Sequence, residues 1–595
     1  MKKIFLSILL TVSAIAINAQ SSPDGRIKVS TADNKLAISY KLNNGWITIM
    51  TADMSLTPDG KTTKVSESYT MLTGKKSHIK VKANQASYTT TDGARMLVRV
   101  QNDGVALRKV GKNSEAPISI DMSYATNNWL MKWTDSYEGF FPKNVSTKNG
   151  DRWGYPALFE YESHSKAKNV FVLLTEADVH SDMAASCMYS MDKAGHFRIQ
   201  HDTNDNAASM STWKTFIIGS LADVVESTLV TDLSTPCKLD DTSWIKPGVA
   251  SWVYWANNHG SNDCNIIRKY TDMAAELHLP YVLIDAEWDE MKDGKTVEDA
   301  VAYAREKGVM PMIWYNSSVG WVNGAPGPKY RLNKPEDREK EFAWCEKIGV
   351  KGVKIDFFSG DNNLNMKYMI DLLESAARHH LLVNFHGATI PRGWQRTYPN
   401  LISTEGVYGA EWYNNVPTFT NKAAAHNAML PFTRNVIGPM DYTPCAFTDS
   451  QHPHITTHAH ELALTVLFES GIQHLADRPE SFLSQPKQVK DFLSSLPTAW
   501  DETRLLSGYP GKSVVIARRK GDTWYIAGIN GSDTEETLLF NNITSLKGVG
   551  RQRTVFLDSG NAAAPWTIIS DKLSKDVPVM MACKPRGGFV MVCKK

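Results

Sequence analysis

Asp356 ends an apolar, strand-like run, "GVKID", and a polar loop, "FFSGDN", follows it. Side chains alternate along a strand, so Lys354 shares the face of Asp356, and a neighbouring ammonium favours the charged carboxylate that a nucleophile needs. Cleaving a glycosidic bond takes two carboxyl groups flanking one anomeric carbon, either a nucleophile about 5–5.5 Å from a general acid or a base about 6.5–9.5 Å from it. Glu405 and Glu411 supply further carboxyls downstream, and other apolar runs also end in polar and aromatic groups. These are Trp252, Tyr254, Trp255 and Asn257; Asp285, Glu287 and Trp288; Trp314, Tyr315 and Asn316; Asn384 and His386; and Arg434 and Asp441. Carboxylates among indoles and amides suit sugars, whose C–H faces stack on rings while their hydroxyls need donors and acceptors. Phosphate chemistry is not indicated, because no GxxxxGK motif followed by Ser or Thr and no GxGxxG at a strand end is present.

The elements that must position these groups are legible in the change of periodicity along the chain. From residue 20 to about 243, short alternating strands such as "KLAISYKL" and "NVFVLLTEADV" predict an antiparallel β-sandwich. From 244 to 504, apolar strands alternate with amphipathic helices such as "NIIRKYTDMAAELH". Strands are expected at 248–255, 281–286, 310–315, 351–356, 381–385, 401–405, 432–438 and 472–476, which makes a (β/α)8 barrel with its catalytic groups at the C-terminal strand ends. From 505 to 595, strands return without helices, predicting a small antiparallel β domain.

Composition sets the outer bounds. A net charge of +2, 42% hydrophobic and 22% charged residues describe a globular chain with no basic excess for nucleic acid. Residues 1–19, with two lysines, an apolar stretch and a small residue at Ala19, read as a secretory signal peptide, so export to the periplasm is expected. No later apolar run approaches the roughly 20 residues of a membrane span. Seven scattered cysteines without a CxxC indicate neither a disulfide framework nor a zinc ribbon. The histidines of "HPHITTHAHE" lack an HExxH pattern and are expected mainly as surface residues at a helix start.

The segments "GVKIDFFSGDNN", "LLVNFHGATIPRGWQRTYPNLISTEGVYGAEW" and "LPFTRNVIGPMDYTP" resemble the defining segments of glycoside hydrolase family 97, exported bacterial enzymes acting on α-glycosides. The resemblance extends over nearly the whole mature chain and implies a β-supersandwich, a (β/α)8 barrel and a C-terminal β domain. It implies Glu411 as general acid and Glu405 as a calcium ligand. Inverting members carry a base glutamate where this chain has Gly387, whereas retaining members resemble it in having glycine there and an aspartate nucleophile matching Asp356. A calcium-dependent retaining exo-acting α-galactosidase is the expectation. A β-L-arabinopyranosidase and a non-catalytic carbohydrate-binding protein are the alternatives.

Calcium is expected on Glu176, Glu405 and Glu411, although a divalent cation lowers a carboxyl pKa while a general acid must stay protonated. Trp314, Asn316, Lys354 and His386 are expected to contact the substrate. Arg434 and Asp441 are expected to pair with each other. A monomer is expected.

Overall fold

The structure, a computed structural model, describes residues 20–595 except 33, 44, 163–168, 203–208, 293, 414–415, 451, 541–542, 544–545 and 575–577. The signal-peptide expectation at 1–19 lies outside the described residues. No described helix is long and apolar enough to cross a membrane, and no disulfide forms among the described residues.

Antiparallel strands from Gln20 to Gly219 join into one continuous sheet of sixteen strands that makes the sandwich. Strands facing solvent alternate, as in His78–Thr90, whereas Val170–Ala177 and Trp213–Gly219 are buried at every residue. Continuous burial means that both faces are covered. Part of the cover is the barrel: the Trp394 indole donates to the Val179 carbonyl at 2.8 Å, and the Arg392 guanidinium donates to Glu176 at 2.5 Å.

The barrel strands, in chain order, are Gly248–Trp252, Tyr281–Ile284, Met310–Asn316, Gly352–Asp356, Leu382–Phe385, Leu401–Thr404 and Ile472–Leu475, all parallel where they pair. The strand expected at 432–438 does not form. That segment, "FTRNVIG", contributes to the short 3-10 turns Leu430–Phe432 and Arg434–Val436. The chain just after it closes the barrel instead: the Asp441 amide donates to the Thr404 carbonyl at 3.1 Å, and the Ala476 amide to that of Pro444 at 2.9 Å. Arg434 makes this substitution possible. Its buried guanidinium donates to the carbonyls of Thr404, Glu405, Gly406, Gly438 and Pro439, giving partners to backbone oxygens that a strand ladder would otherwise satisfy. It does not pair with Asp441 as expected.

The C-terminal unit is a six-stranded sheet from Glu502 onward with a separate two-stranded sheet. The helix His458–Leu467 lies in the seam with the barrel, capped by Thr457 and tied to the sheet by Arg518, which donates to the carbonyls of Val466 and Leu467. His460 is therefore buried on Asn427 rather than exposed at the surface.

Candidate active site

The fourth strand is buried throughout, with Val353 and Ile355 on one face and Lys354 and Asp356 on the other. Beyond it, Asn362 caps the helix Asn363–Arg378, whose Met366, Met369, Ile370 and Leu373 sit at helical spacing and bury one side, fixing where the strand must end. Asp356 is held from two directions. Trp314 Nε1 donates to Oδ2 at 3.1 Å, and the Phe357 amide donates to Oδ1 at 2.9 Å. A third constraint is steric: Gly387 approaches so closely that any larger residue there would press on this carboxylate.

Lys354 belongs first to Asp285, at 3.1 Å, and lies 3.9 Å from Asp356. Burial raises the Asp356 carboxyl above its ordinary range, with Lys354 and His386 opposing the rise. Lys354 thus moderates the desolvation of Asp356 rather than overcoming it.

Glu411 lies on the short turn Ala410–Tyr413, anchored by Trp255 Nε1 on the Ala410 carbonyl at 3.0 Å. Burial pushes its carboxyl up to about 8; Lys354 and His386 lower it while the charges of Glu405 and Asp356 add to the rise. A carboxyl raised in this way by burial is suited to hold the proton that a general acid gives up.

Several expected roles change. Trp314 is only 1% exposed and orients the nucleophile candidate instead of offering a face to substrate. Asn316 spends its amide on the carbonyls of Trp321 and Pro326 and accepts from the Ser318 amide, so it shapes the loop after the third strand. His386 has Nε2 on Asp441 at 2.7 Å and Nδ1 facing Glu405 at 3.3 Å, leaving no ring nitrogen for a sugar hydroxyl. Asp441 also accepts from His474 and Asn384; burial raises its carboxyl, but the charge of His474 and the hydrogen bonds from His386 and His474 hold it far below the usual range.

Glu176 is displaced from its expected metal role. It is fully buried between Arg392 and Lys214 and accepts from Ser186 and Thr212. Burial opposes this, yet those two cations bring its carboxyl down to about 2. Arg392 also grips Asp361 at 2.8 Å, so the cluster clamps the sandwich onto the barrel mouth. Among the described residues, the group that could hold a cation is His386, Glu405 and Glu411, each offering an atom within 4.8 Å of the others.

Sequence reasoning missed Glu138, in a sandwich loop. It accepts from Trp412 Nε1, next to Glu411 in sequence, and its carboxyl is raised well above the usual range by burial first and then by Glu405. Nothing in the spacing of "SYEGFF" marked it.

Carboxylates gathered with indoles, an ammonium and an imidazole at the strand ends of a parallel barrel define a barrel glycosidase. The family models bear this out: "Glycoside hydrolase 97" matches residues 244–407, its N-terminal domain 21–236, and its C-terminal domain 499–594. The chain belongs to glycoside hydrolase family 97 and is a glycoside hydrolase. The C-terminal model is described as an oligomerisation domain, which weighs against the expected monomer. The chain is 34% identical over 550 residues to a protein of Streptomyces bingchenggensis named "Probable retaining alpha-galactosidase", covering 86% of this chain and 82% of that one. It is 28% identical over 533 residues, 81% of this chain and 75% of the other, to a "Retaining alpha-galactosidase" of Bacteroides thetaiotaomicron. A crystal structure of a beta-arabinopyranosidase superposes with a TM-score of 0.85 at 26% identity, covering 97% of this chain and all of that one.

Proposed function

We propose that this chain is a retaining, exo-acting α-galactosidase with Asp356 as nucleophile and Glu411 as general acid and base. The observation that carries the reading is the closeness of Gly387 to Asp356, which leaves no room for a second base on that side. The other carboxylates at these strand ends have partners: Asp285 has Lys354 and Trp252, Glu287 has His259, Glu405 has the Gly387 amide and His386, and Asp441 has two histidines.

In the first step an Asp356 oxygen bonds to the anomeric carbon as the glycosidic C–O bond breaks, and Glu411 gives its proton to the departing oxygen. In the second, Glu411 takes a proton from water, the water oxygen bonds to the anomeric carbon, and Asp356 leaves. Lys354 has donors to spare beside Asp356 for a sugar hydroxyl, and Asp285 fixes its direction.

The donor set fits Ca2+. His386, Glu405 and Glu411 each offer an atom within 4.8 Å of the others, and Glu138, whose carboxyl feels the charges of Glu405 and Glu411, adds a hard oxygen beside them and takes the part expected of Glu176. When bound, Ca2+ would supply the positive charge that offsets the repulsion among these carboxylates. The pattern of residues 1–19 supports export to the periplasm.

The relatives named retaining alpha-galactosidase support the galactoside reading, while the beta-arabinopyranosidase neighbour favours a second one, in which β-L-arabinopyranosides are cleaved. The two sugars differ by one hydroxymethyl, whose loss costs about 1–3 kcal/mol of transition-state binding where the pocket around it is apolar and more where a buried polar group is left without its hydroxyl. A panel of aryl α-galactosides, β-L-arabinopyranosides and α-glucosides tests the proposal. The largest kcat/KM on the α-galactoside supports it, and a larger value on the arabinopyranoside moves the assignment to the second reading.

A further inference from the structure

A cavity of about 670 Å³ opens outside the catalytic carboxylates, bounded by Tyr254 and Phe357 on its inner side and by Trp321, His259, Glu287 and Asp289 farther out. Its size falls in the range of small-ligand pockets, about 300–1,000 Å³. Trp321 is 51% exposed. Its indole N–H is tied to the Asn323 carbonyl at 2.8 Å, and its backbone carbonyl accepts from Asn316 at 3.2 Å, so its orientation is fixed while a face stays open. Its ring meets Phe357 edge to face at 4.9 Å, and Phe357 meets Trp314 at 5.8 Å. The three rings form a path from Asp356 out to solvent.

Phe357 adopts φ +65°, a left-handed conformation that is costly for a bulky residue and persists only where surrounding contacts hold it. That backbone places its ring between the inner and outer tryptophans. On the other side, Tyr254 stacks on Trp252 at 6.0 Å, and the adjoining Trp255 holds the turn that carries Glu411 by donating to the Ala410 carbonyl at 3.0 Å. The cavity therefore adjoins the side from which Glu411 would protonate a leaving group.

We propose that this cavity is the subsite for the sugar on the leaving-group side of the scissile bond, with the Trp321 indole as its platform. The inference rests on the glycosidase reading above. An open indole suits the C–H face of a pyranose, while Asp289, Glu290 and Lys329 in the same lining bring acceptors and a donor for its hydroxyls. The ring recognised is thus a hydroxyl-rich pyranose held by stacking and by hydrogen bonds to its hydroxyls.

The test compares Trp321→Ala, Trp321→Phe and the wild type on two substrates of the sugar preferred in the aryl glycoside panel. One is a disaccharide with a hexose leaving group; the other is the glycosyl fluoride, whose leaving group cannot reach the cavity. The proposal expects Trp321→Ala to lose about tenfold or more in kcat/KM on the disaccharide, with the fluoride within about twofold of wild type and Trp321→Phe recovering part of the loss. Equal changes on both substrates, or none on either, overturn the subsite. A wild type that cleaves neither substrate overturns the glycosidase reading, and the subsite with it.

Discussion

A Cβ built on Gly387 would lie 2.7 Å from Asp356 Oδ1 and 2.7 Å from the Phe357 amide nitrogen. Gly387 also has φ +46°, in the left-handed region that side chains disfavour. A side chain at 387 and the observed carboxylate at 356 therefore compete for the same space.

Gly387→Ala should consequently lower kcat/KM by about 100-fold or more, because displacing a reacting group by about an ångström costs that much. The loss should appear with little change in secondary structure by circular dichroism. Steady-state rates within about threefold of wild type would show that the close approach does not control Asp356.

Stripping the enzyme with a chelator should abolish hydrolysis, and added Ca2+ should restore it. Glu138→Gln should raise the Ca2+ concentration for half-maximal activity by about tenfold or more, since ligand charge sets affinity. Glu176→Gln should leave that concentration unchanged. Full activity in metal-free protein, or a shift with Glu176→Gln alone, would contradict the ligand set.

Glu176 links pH to stability. Its folded carboxyl sits near 2 against an ordinary 4.5, so its contribution is fully present above about 4.5 and is lost as pH falls toward 2. The size is about 3 kcal/mol. Thermal unfolding of the wild type should therefore move to lower temperature across that interval. Glu176→Gln should be less stable at pH 7, because Arg392 and Lys214 lose their counter-charge, and should show a shallower acid decline. Parallel pH curves for the two proteins would remove Glu176 from the clamp.

The sequence showed the catalytic strand clearly, because Lys354 and Asp356 alternate with Val353 and Ile355 in a run whose inner face must be polar. Three-domain order was legible for a similar reason, as period-2 and helical patterns change along the chain. The missing strand at 432–438 was not, since an apolar run cannot reveal that Arg434 satisfies the backbone carbonyls around it. Long-range placement hid the rest. Glu138 reaches Glu405 only through the docking of sandwich on barrel, and the pairing of Glu176 with Arg392, far along the chain, leaves no local sign in "LLTEADV". His386 and Asn316 are legible as strand-end polar groups, yet which partner each takes depends on loops packed around them.

Whether Asp356 is the nucleophile is read most directly by proton NMR of the first sugar released from an activated α-glycoside, recorded before mutarotation. Two displacements through Asp356 give the α anomer first. In the same assay Asp356→Gly should be several orders of magnitude slower, and azide should restore part of the rate by forming the β-glycosyl azide. Initial release of the β anomer by the wild type would contradict the account.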